Sequence, residues 1–239
     1  MGRLFLIYII SLSAYCFFEV PVRGSDLLPL DPGSLIGDTI ADNQLLFNGR
    51  IWKNLNSNVV GDEFLFSKEW ITGDININEI TFHDVPLRYD IYNDQLLAYY
   101  NRTTFVQLNK ELIREFTLEY LNKKNTFKNF SGGKDNPVNG FGQVLYEGNT
   151  YLIIKHEKRI QQLAVDNKFD QFYQLQTLYI LKTGKYYRVN SKRDLINILS
   201  DKKQQVQNYI REKKIRVRKK VPESYIPVLQ YYDTLKDAP

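Results

Sequence analysis

The sequence predicts an α+β protein, mainly an antiparallel β meander followed by a short C-terminal helical segment. Three observations predict it. Apolar and polar residues alternate through residues 43–189 in a chain that is 14 % aromatic, and aromatic and β-branched side chains suit a pleated, half-buried surface. Several short turn sequences in that span set apolar residues opposite apolar residues when their flanks are paired. From Asn190 onward the apolar period lengthens to that of a helix. A curved sheet, a sandwich or a barrel would each satisfy this pattern. A chain that is 43 % hydrophobic and 25 % charged is neither a disordered polypeptide, a collagen-like repeat nor a disulfide-rich miniprotein.

The N-terminus reads as an address. Arg3 supplies a positive start, and residues 4–18 carry no charge, with only Ser11 and Ser13 breaking the apolar run. A bilayer core of ~30 Å takes about 20 helical residues, so this run is short for a span. It suits the apolar region of a secretory signal peptide. Residues 1–24 are therefore expected to be a signal peptide cleaved within 16–24, and residues 25–42 a linker. Cys16, in Ser13-Ala14-Tyr15-Cys16, sits where a lipidated cysteine would, but Tyr15 is large where a small residue is needed. It is the one cysteine of the chain, so cleavage after it leaves no thiol chemistry and no disulfide. No transmembrane span is expected after signal removal.

The β domain spans residues 43–189, and its turns set testable registers. Asn48-Gly49 suits a two-residue turn pairing Leu46 with Ile51 and Leu45 with Trp52. A turn at Asn78-Glu79 pairs Ile77 with Ile80 and Ile75 with Phe82. One at Asn93-Asp94 pairs Ile91 with Leu96, Tyr89 with Ala98 and Leu87 with Tyr100. Gly148-Asn149 pairs Tyr146 with Tyr151 and Leu145 with Leu152, and Thr183-Gly184 pairs Leu181 with Tyr186. No stretch of crossover-helix length separates these hairpins, which argues for antiparallel connections. Residues 130–139 form the evident long loop.

Residues 190–239 form a basic helical segment packed on the sheet. Ser191 through Asp194 resembles a capping box with Asp in place of Glu. Leu195, Ile198 and Leu199 share the first helix face. Val206, Tyr209 and Ile210 mark a second helix from about Asp201, and Tyr225, Leu229 and Tyr232 a third, with Pro227 tolerated in its first turn. Residues 185–220 hold thirteen Lys/Arg and three acids, a net charge of +10 in a chain of net charge +5. The densest run gives the candidate binding residues Arg211, Lys213, Lys214, Arg216, Arg218, Lys219 and Lys220. They would attract an anionic envelope component; the plain alternative is a solvated face whose charge resists aggregation. No nucleic-acid partner is expected, because no recognition module accompanies the run.

No catalytic constellation is present. His83 and His156, the two histidines, each precede an acid, but neighbours in a strand point to opposite faces. Zincin, nucleophile-elbow and Walker motifs are missing, and Ser131-Gly132-Gly133-Lys134 has only part of a phosphate-loop pattern. Asp84, Asp90, Asn93 and Asp94 make an acidic cluster that could hold calcium; turn chemistry is the plainer reading. No catalytic residue, metal site or cofactor is assigned.

The order of features resembles a group of exported proteins of Gram-negative bacteria for which no activity is known. The residues that carry the resemblance are the leader, Leu87-Arg88-Tyr89-Asp90-Ile91-Tyr92-Asn93-Asp94, Tyr179-Ile180-Leu181-Lys182, and the Lys-rich end closing on Tyr231-Tyr232. The resemblance implies a periplasmic, envelope-associated or secreted location and no chemistry. The expected function is an exported, non-enzymatic binding or scaffold protein of the cell envelope. The alternatives are a carrier of lipid or another apolar ligand and an envelope-polymer hydrolase using Asp/Glu. Export is the first prediction: a C-terminal reporter that fluoresces only outside the inner membrane should light up, and darkness from an intact fusion would refute it.

Overall fold

The computed structural model describes residues 44–101, 104–132, 136–162 and 169–237. The expected signal peptide, linker and Cys16 lie outside the described residues, as do Gly133 and Lys134. The sheet has eleven strands: β1 (Gly49–Ile51), β2 (Ile71–Ile77), β3 (Ile80–Asp90), β4 (Gln95–Asn101), β5 (Thr104–Leu108), β6 (Ile113–Tyr120), β7 (Lys123–Asn129), β8 (Phe141–Glu147), β9 (Thr150–Gln161), β10 (Gln171–Lys182) and β11 (Lys185–Arg188). Their order is β1-β5-β4-β3-β2-β6-β7-β8-β9-β10-β11, all antiparallel. The sheet is curved and not closed. Helices α1 (Lys192–Ile198), α2 (Lys203–Glu212) and α3 (Ile226–Asp237) follow.

One row of directly opposed residues crosses seven strands: Phe82, Ile75, Phe116, Phe127, Gln143, Ile154 and Leu178. Opposed residues share a face, and all seven are buried. This face is covered in two ways. Over β2–β8 the sheet curls onto itself, so Tyr89 meets the rings of Phe116, Phe127 and Phe141 at 5.4–5.8 Å. Over β9 and β10 the helices lie on it, packing Leu195, Val206, Leu229 and Tyr232 against Leu152, Ile154 and Ile180. Segment 60–65 bridges the curl. Val60 pairs with Gln171, and Phe64 pairs with Asp90. Lys158 of β9 donates to Phe64 O, Asp62 O and Asp62 Oδ1 through its ammonium, and to Ile91 O through its backbone N–H.

The turns test the registers. Ile77 faces Ile80 and Ile75 faces Phe82, with Asn78 and Glu79 both at positive φ, and Leu181 faces Tyr186 across Thr183-Gly184. Three expectations are corrected. Residues 44–46 are helical, so there is no hairpin at Asn48-Gly49. Instead Leu46 is buried, and β1 pairs with β5, where a Cβ on Gly49 would collide with Gln107 O. The β3–β4 register is two residues off, with Tyr89 facing Leu96, because Asp90 Oδ1 accepts from the N–H groups of Tyr92 and Asn93 and makes a longer turn. A two-residue slip keeps every side chain on its face, so the core is unchanged. Tyr146 faces Leu152 because Leu145 is bulged; beyond the bulge Val144 and Ile153 return to the expected register.

The first helix of the tail starts at its expected cap. Ser191 Oγ accepts from Asp194 N, and Asp194 Oδ2 accepts from Asn190 N. Burial raises the Asp201 pKa, but its hydrogen bonds from Lys182 and the Tyr232 hydroxyl, with the Lys182 charge, together outweigh burial and hold the carboxyl at about 2. Asp233 accepts from Tyr146 and Thr150, tying α3 to the β8–β9 turn. Among the described residues no helix is long and apolar enough to cross a membrane.

A buried polar chain runs through the core. His156 Nε2 donates to Gln143 Oε1 at 2.7 Å, and Gln143 Nε2 donates to Asn125 Oδ1 at 2.9 Å. His156 Nδ1 is buried without a partner. Burial, reinforced by Lys155, lowers the His156 pKa to about 4. The unfolded chain therefore takes up this proton first, near ~6.5. Stability is expected to fall as pH drops from about 6.5 to about 4, by roughly 3 kcal/mol from this group. His156→Gln keeps a donor for Gln143 without a titrating ring. Urea midpoints at neutral and acid pH should differ less in this variant than in the parent; equal differences would refute the assignment.

Candidate functional site

A polar recess lies on the other face of the sheet, at its β1-β5-β4-β3 end. Val106, Ala98 and Leu87 face the core, so alternation turns Arg50, Gln107, Gln95 and Asp90 to the opposite side. Gln107 Nε2 donates to Gln95 Oε1 at 2.9 Å. Trp52, Lys53, Leu55 and Asn56 continue from β1 and complete one wall. Glu63, Tyr92 and Asn93 complete the far end. The cleft measures about 590 Å³.

Two acids line this cleft and differ in their surroundings. Asp90 is fully buried, and its oxygens accept three hydrogen bonds, from Tyr92 N, Asn93 N and Asn93 Nδ2. Burial raises its pKa, and the Asn93 contacts oppose the rise. Glu63 is 4 % exposed. Its backbone carbonyl accepts from Ile91 N. Among the described residues no other side chain hydrogen-bonds to its carboxyl. Burial raises its pKa most; Asp90 and Asp62 add to the rise, while its own backbone N–H and Lys158 oppose it. Hydrolysis by paired carboxylates needs one group to move a proton and the other to serve as nucleophile or base, and the Asp90 oxygens are engaged in holding its turn.

An aromatic band runs beside the cleft on the same face. Trp52 lies 5.9 Å from Phe64 and 6.3 Å from Phe105, and Trp70 lies 5.1 Å from Phe105. The Arg88 guanidinium sits 4.1 Å from the centre of the Trp70 ring. Burial lowers the Arg88 pKa, and its Nε has no partner. Trp52 therefore lines the cleft, and Trp70, the other tryptophan of the chain, stands in the band beside it. Their indole rings offer flat apolar faces together with a polar N–H.

The sequence-derived candidates fall elsewhere. Arg211, Lys213, Lys214, Arg216, Arg218, Lys219 and Lys220 are all exposed, while Ile215 and Val217 between them pack toward the helical core. Arg211 donates to Asn208 Oδ1. Among the described residues none of the seven joins an ion pair within 4.0 Å. The acidic cluster is dispersed. Asp84 sits at a bulge in β3 with φ of 53°, Asp90 and Asn93 hold a turn, and Asp94 bonds to Tyr89, Lys110 and Lys155. Among the described residues no group of His, Cys, Asp or Glu is arranged to hold a metal. His83 pairs across the strands with Asp74 at 3.1 Å and is exposed, whereas His156 belongs to the core. Ser131 bonds to Asn129 within its loop.

No protein-family model, curated protein or solved structure matches this chain. The cleft must be read from its own chemistry. Its residues come from four separate stretches, at 50–56, 63, 90–95 and 107, each with a plain local explanation in the sequence. The one signal available there was Arg50-Ile51-Trp52-Lys53, which placed a tryptophan between two cations.

A buried carboxyl without a side-chain partner costs stability. The raised pKa of Glu63 means that the folded state holds its proton more tightly, so its contribution to stability declines as pH rises above about 4.5. Glu63→Gln is neutral and nearly isosteric. It should unfold later than the parent at neutral pH, by about 1 kcal/mol, with the difference shrinking below pH ~4.5. A thermal melt at both pH values checks this, and a less stable Glu63→Gln at neutral pH would count against a destabilising acid at this position.

Proposed function

We propose that the protein is exported and binds a component of the cell envelope in the cleft between Arg50, Trp52, Glu63 and Gln107. The single observation that carries this reading is the buried Glu63 carboxyl at one end of an amide-rich recess. Proteins tend to retain a costly polar group where it meets something else. The ring of Trp52 and the amides of Asn56, Asn93, Gln95 and Gln107 supply an apolar platform and directional hydrogen bonds together. The apolar leader supports export, as a signal peptide would. The filled centre of the curl, where rings of Tyr89, Phe116, Phe127 and Phe141 meet, lends the apolar-carrier alternative no support.

The exposed cations at 211–220 fit the same setting. They form a second, less specific contact with anionic envelope surfaces, and long-range attraction of this kind weakens as salt shortens the Debye length to ~3 Å at 1 M. One sedimentation experiment separates the two contacts. The full chain should pellet with isolated envelopes. Trp52→Ala should reduce the pelleted fraction at all salt concentrations. Charge reversal at Lys213, Lys214, Arg218 and Lys219 should reduce it at low salt only. Pelleting that ignores Trp52→Ala would overturn the cleft as the binding site.

A further inference from the structure

The cleft continues past Gln107. A second recess of about 480 Å³ adjoins it and shares Arg50, Gln95 and Gln107 with it. Asn48, Asn109, Lys110 and Glu111 line the continuation. The two form one groove across β1, β5 and β4, with the hydrogen-bonded Gln107–Gln95 pair at its midpoint. A small molecule would fill one half and leave the other to water. An extended chain would use both.

The lining specifies the chemistry of that chain. Formal charges balance: Arg50, Lys53 and Lys110 against Glu63, Asp90 and Glu111. A strongly charged polymer would find no net attraction there. The groove is instead rich in Asn and Gln, and each amide both donates and accepts. The Gln107–Gln95 bond uses one hydrogen of Gln107 and one lone pair of Gln95, which leaves further donors and acceptors on both. Hydroxyl groups likewise donate and accept, so a hydroxyl-rich ligand can satisfy such a row in any order. The Trp52 ring offers an apolar surface for the C–H face of a sugar. A peptide would be recognised differently, by backbone pairing along the free edge of β1. That strand is three residues long, and such pairing does not call on the amide row.

We infer that the groove binds a linear, neutral, hydroxyl-rich polymer, a glycan chain, lying across both recesses with Gln107 and Gln95 at its middle. This rests on the binding role proposed above for the first recess and extends it to a substrate class and a length. Arg50, shared by both halves, bonds to ring or hydroxyl oxygens on either side of the midpoint.

Calorimetry on the full chain tests it, with cello- and chito-oligosaccharides of increasing length as probes. Oligogalacturonates and a short strand-forming peptide serve as the contrasting ligands. Affinity for a neutral series should rise with length and level off once both recesses are filled. Trp52→Ala should weaken every length, by about tenfold. Gln107→Ala should weaken long oligomers more than short ones. Glu111→Ala, at an exposed position in the second recess, should do the same without touching the sheet interior. Affinity that is independent of length, tighter binding of the uronates, binding of the peptide alone, or no binding of either neutral series would each overturn the inference. Envelope sedimentation distinguishes the failures. If Trp52-dependent pelleting persists while the neutral oligomers do not bind, the binding role stands and the glycan assignment falls. If pelleting also ignores Trp52, both fall.

Discussion

The half-buried carboxylate of Asp94 is the constraint on which much of this fold depends. Its Oδ1 accepts from the Tyr89 hydroxyl at 2.6 Å, and its Oδ2 accepts from the ammonium groups of Lys110 and Lys155. Lys155 also donates to Phe141 O. These groups come from β3, the β3–β4 turn, the short 3-10 turn Lys110–Leu112, β8 and β9. One residue therefore ties together strands that are distant along the sheet. An ion pair taken from water gains little unless its remaining sites are satisfied, and here the carboxylate is nearly saturated. Even the backbone makes room for it. Gly140 has a φ of 110°, and a Cβ there would lie within bonding distance of Asp94 Oδ2. Burial pulls the Lys155 pKa down, and Asp94 opposes that pull.

The same turn links the core to the groove. Asp94 faces inward, while Asp90, Tyr92 and Asn93 end on the side lined by Glu63 and Gln95. The turn is thus held at both ends, by the half-buried Asp94 at its end and by the Asp90 hydrogen bonds at its start. Segment 62–64 is held against it by Lys158 and by the Ile91–Glu63 backbone bond. Glu63 therefore has little freedom to swing toward water. A recess whose walls are fixed by strands and buried bonds loses less entropy on binding than one built from loops.

Local pairing was legible in the sequence where the turn residues alone decide the geometry. Asn78-Glu79 and Thr183-Gly184 are such cases, and so is the Ser191 cap. Legibility failed where a side chain outbid the turn or a bulge changed parity. Asp90 captures two backbone N–H groups and lengthens its turn, a competition that the pattern of apolar residues cannot reveal. Phe82 and the series Val85, Leu87, Tyr89 differ in parity, yet both face the core because His83 and Asp84 bulge opposite Asp74. Read as two separate hairpins, those residues give no hint of one continuous strand. Leu121-Asn122 turns with both residues at positive φ, and nothing about leucine announces it. The open, curved form of the sheet depends on contacts such as Tyr89 with Phe141, fifty-two positions apart, and no local pattern encodes them.

The groove was hidden for a related reason. Gln95 and Gln107 look like the solvent-facing members of ordinary alternating strands, and Arg50 like a turn residue. Their common address arises because β1 does not form a hairpin with the preceding segment but crosses to the far side of β5. That placement gives β1, β5 and β4 one face on the core and another that carries the aromatic band and the groove. A sheet end of this kind needs something to limit strand addition. Here the edge strand is short, and its neighbours carry charges and amides on the open face. The features that keep the edge from pairing with another chain are the ones that make the open face a surface for hydrogen bonding, so protection of the edge and recognition at the groove draw on the same residues.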